Sequence, residues 1–417
     1  MSDCGCSSVK SSTPLKSLEE AIELLLSHAK AVAEVEMVPI SDALDRVLAE
    51  PLTSKVTMPP WDNSAMDGYA VNTADLSGDK PLLPVSQRIP AGVAPTPLEP
   101  GTAARIFTGA PVPANADAVV IQEVCEQRGD SVIISQIPTP GANIRRAGED
   151  VSEGQQVLQA GTRIGPQHLG LAASVGIGEL PVYRRLKVAL FSSGDELINP
   201  GQPLGPGQIY NSNESTLKGM LQALGCDVVT LGIVEDTFDA TCAALLNAAG
   251  QADLVMTSGG VSVGEEDHLK PAVEKLGTLD MWKINIRPGK PLAFGHIEGT
   301  PFIGTPGNPV SLFVTFCLFA RPFILQSQGV DRESMAPTPI LAKTDFDWPK
   351  SDKRREFARA RLALNAQGEA QISLYRSRSS GVLSSLAWAN GLAILPEHQT
   401  LSKGDQVQFL PFNELLS

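Results

Sequence analysis

Residues 253–311 contain DLVMTSGGVSVGEEDH (253–268), WKINIRPGKP (282–291) and FIGTPGNPVS (302–311). Each apolar run ends in a loop of Gly, Ser, Thr or Pro, with charged residues in or beside it. Short buried strands that deliver polar loops to one edge of a parallel sheet read this way. The stretch therefore predicts the floor of a ligand site on an α/β domain.

The same grammar extends back to Arg185. KVALF (187–191) is a buried strand ending in SSGDEL, and ESTLKGMLQAL is a helix with Leu217, Leu221 and Leu224 on one face. VVTLGIV is a strand ending at Glu235-Asp236, and DATCAALLNAA is a helix. PGNP opens a long apolar helix at 310–325. Strand–helix alternation predicts right-handed parallel crossovers, with ligands at the strands' carboxyl ends.

Outside this block the pattern changes. From about residue 335, short strands (PILAKTDF, EFARARLAL, AQISLYR, GLAILPE, DQVQFLPF) predict a β domain over 335–417, barrel-like in character. Residues 54–146 also read as short β runs between Pro and Gly. Ser17 caps an N-terminal helix, with Glu20 completing a capping box. A second short helix is expected at 40–47. Residues 166–175 read as a helix returning to pack with the N-terminal ones. The helical domain is thus discontinuous (15–53 and 147–184), with 54–146 inserted in it and 185–334 as the α/β domain. The fold class is multidomain α/β plus β.

Composition sets bounds. The 417 residues have a net charge of −13, 42% hydrophobic and 19% charged residues. Such an acidic chain lacks the basic face of a nucleic-acid binder. The apolar run at 310–325 is interrupted by Arg321-Pro322 and too short to span a bilayer. No signal peptide opens the chain, and six cysteines in this length suit a reducing cytoplasm. Cys4 and Cys6 read as a polar tail in preference to a metal chelate. The five histidines form no zinc or Ser–His–Asp pattern.

Chemistry concentrates in the loops. Ser258-Gly259-Gly260, with Ser262, can bring bare amides to an anion. Glu196, Asp236 and Asp267 each follow a strand; three such acids beside a phosphate cradle suit Mg²⁺, while helix capping is the bland alternative. Lys283, Arg287 and Lys290 form a cationic cluster in an acidic protein. Pro306-Gly307-Asn308-Pro309 aims helix-terminal amides upward. Arg145, Arg146, Glu149 and Asp150 read as a solvated ion-pair turn at least as readily as a ligand site. Together these features suit phosphate-ester or pyrophosphate handling.

FSSGDEL, SGGVSVGEEDH, IRPGKP and GTPGNPVS, with PPWDNSAMDGYAV (59–71) and IFTGAPVP (106–113) upstream, resemble the molybdopterin molybdenumtransferases of the bacterial MoeA type, similar also to the E domain of gephyrin. The resemblance implies an elongated four-domain homodimer that inserts molybdate into adenylylated molybdopterin and releases AMP with Mg²⁺. It implies roles for Asp67 and Thr108 in a cleft shared with the partner protomer. Glu196, Asp236 and Asp267 would serve Mg²⁺ and the substrate phosphates, and Ser193 and Gly194 the substrate. Lys283 and Arg287, with Arg359 and Ser380, would bind anions. Arg287 stands where many relatives have Lys. Further implied partners are the molybdopterin adenylyltransferase and the enzymes that accept the cofactor. The alternatives are an adenylyltransferase acting on molybdopterin itself, which the extra β domains disfavour, and a non-catalytic scaffold like gephyrin, for which no peptide groove is apparent.

Overall fold

The computed structural model describes residues 16–259, 268–289 and 291–416; at 281–283 and 291 only the backbone is described. At its centre is a six-stranded sheet in the order Asp227–Val234, Lys187–Ser193, Leu254–Ser258, Thr300–Thr305, Pro291–Ile297, Gly277–Lys283. The first four strands are parallel. Their alternate residues feed two cores. Val188, Leu190, Leu254 and Met256 face one helical layer, and Ala189, Phe191 and Val255 face the other. Burial on both faces explains their continuous apolarity.

The last two strands are antiparallel to their neighbours. This departs from the all-parallel expectation. Glu298 (φ 48°) and Gly299 (φ 90°) make a two-residue turn between paired Ile297 and Thr300, and positive φ at both central positions matches the right-handed strand twist. WKINIRPGKP is consequently no simple loop. It begins inside a strand, and Ile286–Arg287 forms a further short strand.

Pro309–Ser327 is one 19-residue helix with a mean hydropathy of 1.5. It is long and apolar enough to cross a membrane, but 89% of it is buried inside the fold. Residues Phe316–Ala320 are a π turn. Pro322 lacks an N–H and obstructs the preceding turn, so widening the helix there relieves the conflict.

The helix Leu18–Leu26 starts on the predicted capping box, in which Ser17 and Glu20 exchange side-chain and backbone hydrogen bonds. Its buried face (Ala21, Leu25, Leu26) joins the core of the α/β domain, and Gln326 Nε2 donates to the Leu26 carbonyl at 2.9 Å. It does not share the core of the helix Pro166–Ser174, which packs instead against the 3₁₀ turn Ile40–Asp42. That turn replaces the longer helix expected at 40–47. The strand Val35–Pro39 before it pairs with Glu179–Tyr183.

Two paired arms lead out of this region and back. Leu52–Thr53 pairs with Gln156–Leu158, and Asn63–Ser64 with Ile144–Arg145. They carry a six-stranded mixed sheet ordered Ala118–Ile121, Gly68–Val71, Ala103–Ile106, Leu82–Ile89, Ser131–Ile134, Cys125–Arg128.

The C-terminal strands close a five-stranded barrel: Arg355–Leu364, Ala370–Leu374, Ile340–Thr344, Gln406–Pro411 and Gly391–Leu395, the last pairing back to the first. Gly391 permits closure, because a Cβ there would stand 2.2 Å from the Phe409 ring and 2.4 Å from the Leu410 carbonyl oxygen. Ile286–Arg287 of the α/β domain pairs with Arg355–Glu356, adding a strand to the barrel wall.

Candidate active site

The parallel strands all end at one edge of the central sheet, and their polar ends are tied together there. Ser193 Oγ donates to Asp236 Oδ1 at 3.0 Å, linking two strand ends. Glu196 folds back over Gly194, its Oε2 2.6 Å from where a Cβ would stand, and Gly194 has φ 152°, which favours glycine. Ser193 and Asp236 therefore meet at the strand ends, with Glu196 lying over the adjoining Gly194; oxygen donors of this kind suit Mg²⁺. Among the described residues, no three His, Cys, Asp or Glu side chains form a complete metal cluster. Asp267, the third expected acid, lies outside the described residues, as do Gly260, Ser262 and Lys290.

Of the glycine loop, Ser258 and Gly259 are described. Ser258 is buried, and its hydroxyl hydrogen-bonds with that of Ser192 at 2.9 Å. The Gly259 N–H donates to the Thr305 carbonyl at 3.0 Å, continuing the sheet. Neither group is available to an anion in this arrangement; both brace the floor. Gly259 has φ 87°, and a Cβ on Gly307 would sit 3.8 Å from its Cα, so this loop and Pro306-Gly307-Asn308-Pro309 lie side by side.

Two residues that the sequence reading passed over organise that second loop. Asn213 Nδ2 donates to the Gly307 carbonyl at 2.8 Å. Asn211 caps the helix Ser212–Ala223 and accepts from the buried Ser192 hydroxyl at 3.3 Å. The run YNSNES (210–215) carried the signal, a cluster of capping residues opening a helix at a strand end.

On the barrel side, the Ser380 carbonyl accepts from Val310 N–H at 3.0 Å, so Ser380 does come to the start of the central helix. It occupies one of the amides expected to point at ligand. Arg359 is buried, and burial pulls its pKa below the ordinary arginine value. Its guanidinium donates to the carbonyls of Ser377 (2.6 Å) and Ser379 (3.2 Å) and to Ser385 Oγ (3.1 Å). Arg359 thus orders the loop that carries Ser380.

Arg287 is likewise engaged by carboxylates. It reaches Asp352 Oδ2 at 3.2 Å and Glu356 Oε2 at 3.8 Å, and Arg378 also pairs with Glu356. Burial works against ionised Asp352, but the Arg354 backbone N–H and Arg287 together hold its pKa below the ordinary value. Arg287 therefore joins the α/β domain to the barrel, where a free anion-binding cation was expected. The Lys283 side chain lies outside the described set.

In the inserted domain, Asp67 and Thr108 come together. Asp67 Oδ1 accepts from both Thr108 N–H and Thr108 Oγ1, each at 2.8 Å, and the backbone donor above all depresses the Asp67 pKa. Arg146 binds Asp62 at 2.6 Å, and its backbone N–H donates to Glu149 at 3.0 Å, so within the charge cluster Arg146 is tied to the loop that precedes Asp67. No described hydrogen bond joins residues 59–147 to the α/β domain of the same chain.

The match to known families follows the same layout. Residues 16–176 match the MoeA N-terminal region (domain I and II), residues 189–326 a probable molybdopterin binding domain, and residues 342–412 the MoeA C-terminal region (domain IV). The chain is 39% identical to a molybdopterin molybdenumtransferase of Haemophilus influenzae, over 96% of this chain and 99% of that protein.

This chain belongs to the MoeA family.

Within it, a second relative, molybdopterin molybdenumtransferase 2 of Mycobacterium tuberculosis, is 40% identical over 91% of this chain and 97% of its own. The solved molybdopterin biosynthesis MoeA protein of Pyrococcus horikoshii OT3 superposes with a TM-score of 0.80 at 29% identity, covering 95% of this chain and 100% of that one. Membership in the MoeA family places the chain among the transferases of molybdenum cofactor biosynthesis.

Proposed function

We propose that this MoeA-family chain inserts molybdate into adenylylated molybdopterin, releasing AMP, as a cytoplasmic homodimer. The observation that carries this reading is the convergence of Ser193, Glu196 and Asp236 at the carboxyl edge of the parallel strands. Glu196 and Asp236, with Asp267, would hold Mg²⁺, which when bound supplies charge neutralisation for the pyrophosphate. The Asn213-braced turn at 306–309 and the Ser380 loop form the walls on either side of the central helix's start. Lys283 and Lys290 supply cations for oxyanions.

Asp67 keeps its carboxylate ionised through Thr108. It lies on an inserted domain with two cores of its own. That separation supports its delivery to the α/β edge of a partner protomer.

The test is molybdate-dependent AMP release from adenylylated molybdopterin. Asp67→Ala and Lys283→Ala should each cut the rate by about 100-fold or more with an unchanged circular dichroism spectrum. Wild-type rates in both would overturn the assignment. Formation of adenylylated pterin from ATP and molybdopterin would favour the adenylyltransferase reading instead.

A further inference from the structure

In the inserted sheet, the strands Leu82–Ile89 and Ala103–Ile106 run parallel, and the register sets Arg88 beside Arg105. Like charges directly opposed on one sheet face are destabilising. Neither guanidinium takes part in an ion pair among the described residues, although the chain has 46 acidic side chains against 33 Lys and Arg. Both cluster around one ring: the guanidinium carbon of each lies 4.6 Å from the Phe107 centroid.

The pair is also held in place. Arg105 donates to the Gly68 carbonyl at 2.8 Å and to Gln122 Oε1 at 2.7 Å. The Gln122 N–H donates to the Asp67 carbonyl at 3.0 Å, and Phe107 directly precedes Thr108. Arg105 is thus fixed beside the Asp67–Thr108 pair, and the exposed Arg88 reaches the same Phe107 ring from the adjacent strand. A neutral ring contact tolerates two neighbouring positive charges but does not require them.

We propose that Arg88 and Arg105, set around Phe107, form a binding site for a tetrahedral oxyanion next to Asp67 and Thr108. Arg88 keeps its guanidinium donors clear of described hydrogen bonds, and Arg105 adds a second positive charge from the adjacent strand while its terminal nitrogens stay on Gly68 and Gln122; a fork and a neighbouring charge suit the several oxygens of such a group. The anion is either free molybdate or the phosphate of the pterin substrate. That choice of ligand rests on the function proposed above; the anion site itself does not.

The experiment uses the full chain with Arg88→Gln, Arg105→Gln and the double variant. Thermal unfolding is followed with and without added molybdate or inorganic phosphate, and KM is measured for each substrate. Arg88 is exposed, so its variant keeps the test open even if Arg105→Gln unfolds. Without anion, Arg88→Gln should match or slightly exceed wild-type Tm, because a like-charge contact is removed. Anion should stabilise wild type and no longer stabilise the variants. A rise of about tenfold in the KM for molybdate alone assigns the site to molybdate; the same rise for adenylylated molybdopterin alone assigns it to the substrate phosphate. Unchanged KM values together with wild-type anion stabilisation in the double variant would overturn the proposal. If wild type releases no AMP while the variants still lose anion stabilisation, the function fails and the site stands.

Discussion

At the scale of single residues, Asp253 shows how a site is held from below. It opens the strand Leu254–Ser258 and receives both terminal nitrogens of Arg184 at 2.7 and 2.8 Å, plus the Lys187 N–H at 2.8 Å. Burial opposes its charge, yet Arg184 and Lys187 hold its pKa below the ordinary value. The stability linked to this depressed carboxylate is present above about pH 4 and is lost as pH falls through the folded-state pKa. Asp253→Asn should therefore cost about 2 kcal/mol near neutrality, and the gap to wild type should shrink in urea titrations taken toward pH 3. Cysteine chemistry separates by burial in the same way. The thiols of Cys226 and Cys317 are pushed up to about 12 and that of Cys125 to about 11, in each case chiefly by burial. In the native protein all three should resist alkylation at pH 8, and denaturant should release them, as mass spectrometry of labelled peptides would show.

At the scale of elements, the sequence was most readable where a pattern is local. The capping box of Ser17 and Glu20, the helix over 212–223 and the strands at 187–193 and 254–258 all follow from periodicity and end signals. The antiparallel pair beside the parallel strands was not legible, because Gly299 is one turn-favouring residue among many and Glu298 beside it carries no turn preference, although both take positive φ. The partners of Arg287 and Arg359 were not legible, because a sequence shows charges and not what they meet; Asp352, Glu356 and the carbonyls of 377 and 379 come from distant positions. Barrel closure also depends on such distant pairing. Gly391→Ala would press a Cβ on the Leu410 carbonyl and the Phe409 ring, so it should destabilise the barrel by about 1–3 kcal/mol and lower Tm in calorimetry. Arg359→Ala should release the loop at 377–380 and raise its amide exchange more than that of the strands around it.

At the scale of the molecule, the proposed dimer makes a sharp prediction. If Asp67 serves the partner's α/β domain, a mixture of Asp67→Ala and Lys283→Ala chains forms heterodimers with one intact and one doubly altered site. Random exchange should restore about a quarter of wild-type activity, although each variant alone is inactive. A site built within one chain would give no recovery on mixing.

The first helix carries a different consequence, one of timing. Its Leu26 carbonyl is bound by Gln326, 300 positions later, and its Glu19 by Arg355, 336 positions later. Its buried face shares a core with Leu410 and Leu415 near the other end of the chain. During synthesis this helix precedes by about 290 residues the helix Pro309–Ser327 on which it packs. The growing chain must therefore carry an exposed apolar stripe for most of its translation, a state in which chaperones bind and aggregation begins.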